Sequence, residues 1–325
     1  MKTLARYALS ISIAAALFAG CGEQLTPGGS IATPQSRVAL TNADRSGSWV
    51  LPEAKSEALL YVANVADVTV YSYPRGRHVG TLGGFYRTGG ECVDAAGDVF
   101  VTDLGNRRIV EYAHGATKPK AILQDTGEQV NDCAVDPTTG NLAVTSLGSA
   151  SGTGDVAIYL NARGKPKMYV DPSLFGYWYC GYDSQGNLYV DGQSQKHQFA
   201  FAQLPKGNSS FSDITLDQQI VWPGGVQWDG KYIVVGDLTS PKAYLFSITN
   251  FQGTLQGAIR FGKTENPHQF WIDGKTILVT NETTHEHRLK EHSNVLFYGY
   301  PTGGKPVKAI SRGVDFADGV TISRP

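Results

Sequence analysis

Asn131-Asp132-Cys133-Ala134-Val135-Asp136-Pro137-Thr138-Thr139-Gly140-Asn141-Leu142 reads as strand, tight turn, strand. Apolar residues before Asp136 and after Asn141 suit strands buried on both faces. Between them, proline presets φ and Gly140 supplies the positive φ that a tight turn needs. Altered copies recur along the chain. They are Glu91-Cys92-Val93-Asp94-Ala95-Ala96-Gly97-Asp98, Tyr179-Cys180-Gly181-Tyr182-Asp183-Ser184-Gln185-Gly186, Gly225-Val226-Gln227-Trp228-Asp229-Gly230 and Gln269-Phe270-Trp271-Ile272-Asp273-Gly274. The turn aspartates 94, 136, 183, 229 and 273 are spaced by 42, 47, 46 and 44 residues, the length of a four-stranded propeller blade.

A sixth blade is incomplete where the repeat begins. Leu59-Leu60-Tyr61-Val62-Ala63 and Val68-Thr69-Val70-Tyr71-Ser72-Tyr73 read as strands, with a third near His78 to Leu82, but no innermost strand precedes them. Asp318-Gly319-Val320-Thr321-Ile322 resembles the start of the other blades and lies about one period beyond Asp273. The expected fold is therefore all-β, a six-bladed propeller over residues 58–325, closed by the C-terminal strand completing the first blade. Such closure covers sheet edges that invite aggregation.

Composition agrees: 18% charged residues and 38 glycines among 325 suit a turn-rich β protein. A net charge of -1, with no long basic run, provides no field for steering toward nucleic acid, which is not expected as a partner. At the N-terminus, Lys2 and Arg6 precede an apolar run from Tyr7 to Ala19, too short to span a membrane and laid out as a secretion signal over residues 1–20. Residues 21–57, rich in Gly, Pro, Ser, Thr and Ala without sustained periodicity, are expected to form an unstructured tether.

The sequence carries three resemblances to known families. Leu17-Phe18-Ala19-Gly20-Cys21 resembles the bacterial lipoprotein box, which implies that Cys21 is lipidated and becomes the mature N-terminus. The membrane would then be a partner, with the protein at the cell envelope, on the outer membrane or the cell surface. Gly97-Asp98-Val99-Phe100-Val101-Thr102-Asp103-Leu104-Gly105-Asn106-Arg107-Arg108-Ile109-Val110-Glu111-Tyr112 is similar to an NHL repeat, and residues 58 to 323 resemble the secreted NHL-like six-bladed propellers of bacteria. That likeness implies the fold far more than an activity; the expected role is that of a binding module for a small molecule or an envelope protein, acting as a monomer. A weaker likeness joins Asn131-Asp132-Cys133-Ala134-Val135-Asp136-Pro137 and Phe316-Ala317-Asp318-Gly319 to the gluconolactonase and senescence-marker family. It implies a metal-dependent lactonase-like hydrolase or lyase, holding Ca, Zn or Mn through Asn131, Asp132 and Asp318.

In a propeller, the loops entering the innermost strands and those joining second to third strands share one face around the central channel, where ligands bind. The first loop set offers Glu91, Asn131, Asp132, Trp178, Tyr179, His268 and Asp318 as a ligand site. The second offers Asp103, Asp191, His197, Asp237 and Asn281, together with His285, His287 and His292 on a longer insertion that is a second candidate metal site. Either set must also be weighed as turn caps and solvated loop. Cys133 and Cys180 occupy equivalent innermost positions and Cys92 lies one residue off; an exported address permits a disulfide. The spacing of strands between blades favours instead buried thiols packed as small hydrophobes.

Overall fold

The computed structural model describes residues 47–124, 129–148, 152–282 and 293–325. Cys21, the signal segment, most of the expected tether and His285, His287 and His292 lie outside the described residues. The described strands form six sheets, one per blade. Blade two is Thr88–Val93, Val99–Asp103, Arg108–Tyr112 and Ala121–Gln124; blade three is Gln129–Val135, Leu142–Leu147, Asp155–Tyr159 and Lys167–Tyr169. Blade four is Gly176–Tyr182, Leu188–Gln193, Phe199–Leu204 and Ser212–Asp213. Blade five runs Pro223–Trp228, Ile233–Asp237, Lys242–Thr249 and Gln252–Arg260, with Thr215–Leu216 added parallel at its outer edge. Blade six is Asn266–Asp273, Thr276–Glu282, Asn294–Gly299 and Gly303–Ile310.

Blade one closes the ring as the repeat requires. Gly319–Ser323 lies innermost and pairs antiparallel with Leu59–Ala63, Leu60 opposite Ile322 and Val62 opposite Val320, followed outward by Val68–Ser72 and His78–Leu82. The domain takes in more of the chain than the sequence suggests. Residues 47–57, expected to end an unstructured tether, belong to the domain: Trp49–Val50 pairs with His78–Leu82 at the outer edge, and Pro52–Ser56 forms a single 3-10 turn. Two small burials hold this segment, Val50 and Ala54, and the Trp49 ring lies 5.2 Å from that of His78. Gly80 lets the strand approach, since a β-carbon there would meet the Trp49 carbonyl oxygen at 2.6 Å.

The turns follow the expected chemistry. The carboxylates of Asp94 and Asp183 accept backbone N–H groups two and four residues on, at 2.9 Å each, while Asp229 serves Lys231 and Tyr232. At Gly97, with φ +81°, a β-carbon would also strike the Arg324 carbonyl oxygen at 2.3 Å, so this turn must be bare where the closing strand passes.

The core lies between blades and not in the channel. Tyr61, Phe85, Val101 and Tyr112 fill the seam between blades one and two; Phe246, Tyr179 and Phe201 that between four and five; Leu60, Leu278 and Phe297 that between six and one. Each large side chain buried in these seams contributes about 1.5–3 kcal/mol. The seams run between every neighbouring pair of blades.

Candidate functional site at the channel

The innermost strands of blades two to six share one irregularity. From Thr88 to Glu91 the inner strand takes three steps while its partner takes two, from Asp103 to Val101. The same bulge falls between Val130 and Cys133, Tyr177 and Cys180, Pro223 and Val226, and Pro267 and Phe270. A bulge frees residues from the ladder and re-aims their side chains. The residues so freed are Gly89-Gly90, Asn131-Asp132, Trp178-Tyr179, Gly224-Gly225 and His268-Gln269. Most of the expected ligand residues thus sit within the inner strands, not on the loops entering them.

Gln269 and Asp132 bridge the channel. The Gln269 amide donates to the Glu91 carbonyl at 3.0 Å and to Asp132 Oδ1 at 2.7 Å. Its oxygen accepts the backbone N–H groups of Glu91 at 3.2 Å and Val320 at 2.7 Å. One side chain from blade six therefore joins blades one, two and three. Asp132 Oδ2 in turn accepts the Cys180 N–H at 3.0 Å. Burial pushes the Asp132 carboxyl up to about 7, although the Cys180 and Cys133 N–H groups pull the other way. Gly90 leaves room for this carboxylate, because a β-carbon there would lie 2.0 Å from Asp132 Oδ1.

A second tier of links surrounds that bridge. Thr102 Oγ1 donates to the Gly90 and Asn131 carbonyls, Thr145 Oγ1 to Trp178, and Thr280 Oγ1 to Gln269. Asp191, at the equivalent place in blade four, has no proton to offer when ionised; instead it accepts the N–H groups of Tyr179 at 2.9 Å and Gly224 at 3.0 Å. Burial raises its carboxyl well above the usual aspartate range, against those two donors and with nearby Asp132 adding to the shift.

Beside this bridge stands a charged chain. His268 Nε2 lies 3.2 Å from Glu282 Oε2 and its Nδ1 lies 3.5 Å from Asp318 Oδ1. Burial opposes the imidazolium, but Glu282 and Asp318 outweigh it and hold the ring above the ordinary histidine value. Burial also lifts the Asp318 carboxyl, against the pull of His268 and Arg87 and with the Glu282 charge adding to the rise. Trp178 and Trp222 meet edge to face with centroids 6.0 Å apart, and Trp178 also touches Tyr179 at 6.4 Å. Tyr86 and Val221, in the loops just before the inner strands of blades two and five, are exposed at 61% and 54%, so apolar surface flanks the polar chain.

Several expected ligands have other employment. Asn131 donates its amide to the Trp178 carbonyl at 2.7 Å, and Asp132 divides its oxygens between Gln269 and Cys180. Asp103, Asp237 and Asn281 each close the second strand of their blade and accept N–H groups of the incoming loop: Tyr86 and Arg87, Val221 and Trp222, Glu265 and Asn266. Glu91 lies past its bulge, fully buried opposite Val101 in the seam between blades one and two, instead of at the mouth as expected. Neither carboxyl oxygen has a hydrogen-bond partner among the described residues, and desolvation raises the group well above the usual glutamate range. His197 sits at positive φ in the turn after Ser194. Sequence reasoning missed Gln269, Glu282 and Arg87; the signal for Gln269 was its position four residues before a turn aspartate, the same as Asp132.

The cysteines also differ from expectation. Cys92 and Cys133 form a disulfide across blades two and three, with Cα atoms 5.6 Å apart, and among the described residues Cys180 is left as a buried thiol. Because side chains alternate along a strand, the one-residue offset turns Cys92 into the seam between blades two and three, where Cys133 also lies. Among the described residues, no group of three or more His, Cys, Asp or Glu is arranged as a metal site, and no helix is long and apolar enough to cross a membrane.

No family model matches the sequence, and neither does any curated protein. The fold does have solved counterparts. A chain of the nidogen/laminin complex superposes with a TM-score of 0.64 at 14% identity, covering 82% of this chain and 98% of its own. A protein of unknown function from Bacteroides caccae gives 0.63 at 10% identity, covering 83% of this chain and all, 100%, of its own. At such identities the likeness is one of fold, and the fold is a six-bladed β-propeller.

Proposed function

We propose that this protein is a binding module of the bacterial cell envelope, held through lipid on Cys21 and presenting the channel mouth to a protein partner. One observation carries the reading. Around the His268–Glu282–Asp318 chain, the surface keeps exposed aromatic and aliphatic side chains, Tyr86 and Val221 among them, beside the Trp178–Trp222 pair. Accessible aromatic anchors are what a protein interface uses. The underlying polar bridge fixes the inner strands, so the surface is preorganised. The Cys92–Cys133 disulfide supports export, since such bonds persist in oxidising compartments. That a structural counterpart comes from a nidogen/laminin complex is in keeping with a propeller that engages protein. The lactonase-like alternative would require Asn131 and Asp132 to leave the hydrogen bonds they now make and turn with Asp318 to one ion.

The test uses a photo-cross-linking residue placed at Trp222 in the full-length protein, in cells, and at exposed Val307 as a control. A discrete cross-linked envelope protein from position 222, absent from 307 and lost on adding His268→Ala, is the expected result. Identical patterns from both positions, or no product from 222, would reject the mouth as the binding surface.

A further inference from the structure

On the opposite face, where the inner strands end, a cleft of about 370 Å³ opens between blades four and five, within the size range of small-molecule sites. One wall is a locked chain of polar groups. Gln203 Nε2 donates to Tyr189 Oη at 3.0 Å, Tyr189 donates to Asp183 Oδ2 at 3.2 Å, and Asn187 Nδ2 donates to the same oxygen at 2.8 Å. Asp183 Oδ1 is already occupied by the N–H groups of Gln185 and Asn187. The aspartate is therefore saturated, whereas Gln203 has spent one amide hydrogen and keeps its carbonyl and its second hydrogen for another molecule.

The other wall comes from the longest hairpin among the described residues, Lys242–Thr249 and Gln252–Arg260. Its two-residue turn holds Asn250 at φ +50° and Phe251 at φ +59°. Turns of that kind favour glycine at the second position, and a bulky side chain there is a strained choice. Phe251 nonetheless lines the cleft and remains 36% exposed, so the strain sustains an aromatic surface that the fold does not need for its core. Trp228 also contributes to the lining.

We infer that this cleft is a second binding site, separate from the channel mouth, for a neutral saccharide of one or two rings. Aromatic faces suit the C–H face of a sugar, and an amide with free donor and acceptor suits its hydroxyls. The one carboxylate in the wall has its acceptor positions filled, which disfavours a cationic ligand. Lys231, exposed at the rim, is the only charge placed to favour an acidic sugar among the lining residues.

The experiment titrates the full chain with glucose, galactose, N-acetylglucosamine, cellobiose and chitobiose, each to about 20 mM, with glucuronate as the acidic arm, followed by tryptophan fluorescence and saturation-transfer NMR. At least one neutral sugar is expected to bind with a millimolar dissociation constant. Affinity should fall about tenfold in Gln203→Leu and in Phe251→Gly, equivalent to about 1.4 kcal/mol. Phe251→Gly relieves the positive φ, so its loss of binding is not a failure to fold; an unchanged or raised melting temperature checks this. Binding by glucuronate alone, by no sugar, or undiminished in both variants would overturn the assignment. The Trp222 cross-link is unaffected by either variant, so this site and the mouth fail independently.

Discussion

Replacing Gln269 by Leu tests whether the channel bridge holds the ring together. The substitution keeps the bulk and removes four hydrogen bonds at 2.7 to 3.2 Å. It strands the N–H groups of Glu91 and Val320, the carbonyl of Glu91 and one oxygen of Asp132, all from buried residues. An unsatisfied buried group costs about 1–3 kcal/mol, so taking the low end for four groups that partly relax gives a loss of about 4 kcal/mol. For a domain of this size, that lowers the melting temperature by about 7 °C. Calorimetry at pH 7 reads the loss directly, with exposed Gln256→Leu as the control for added apolar surface. Gln269→Glu sharpens the test. Its carboxylate can still accept from Glu91 and Val320 but faces Asp132 as a like charge, so its deficit should grow with pH and shrink in acid. A Gln269→Leu protein melting within about 2 °C of the parent would refute the reasoning, because it would mean that water satisfies these groups as well as glutamine does.

Removing the disulfide with Cys92→Ser and Cys133→Ser together should cost about 2–4 kcal/mol, read by urea denaturation, and reducing agent should lower the parent to the same midpoint. Glu91→Gln should leave stability unchanged below the ordinary glutamate range and raise it increasingly above. The reason is that the unfolded chain ionises there while the buried acid resists, so parental stability falls as pH climbs toward its folded-state value; chemical denaturation at pH 4 and pH 8 shows the difference. His268 runs the other way. Its folded-state pKa lies above the unfolded one, so its ion pairs with Glu282 and Asp318 contribute fully below about pH 6.5 and fade as pH rises through the folded value; His268→Gln should cost more at pH 6 than at pH 9. Cys21→Ser should move the protein from the membrane to the soluble fraction, and an unchanged distribution would reject the lipid anchor.

The repeat was legible because turn chemistry is local. Asp94 and Asp183 with their glycines mark hairpins whatever surrounds them, and their even spacing gives the blade count. Even the closing strand was readable, since Gly319 to Ile322 repeats the pattern of the other inner strands. What escaped was non-local. A one-residue bulge leaves no mark of its own in Thr88-Gly89-Gly90-Glu91, yet it decides that Gly90 makes room for Asp132 while Glu91 turns into the seam. Gln269 is an unremarked polar residue until four partners from three other blades converge on it. The spacing of strands between blades argued against a disulfide, yet the one-residue offset of Cys92 is the register that permits it. Trp49 and Val50 were masked by the polar composition of their neighbours.

The closing strand also sets an order of events in synthesis. Leu59–Ala63 is the second strand of blade one, buried along its whole length, and its inner edge has no partner until Gly319–Ser323 has been made. Blades two to six can each assemble from contiguous chain, but blade one stays open throughout elongation, with an unpaired and wholly apolar strand as its edge. Such an edge is a template for intermolecular pairing, and contacts this distant in sequence form slowly. A nascent chain that stalls after blade six therefore presents a nearly complete propeller with one adhesive side, and quality control that recognises exposed strand edges would act on that species before any other.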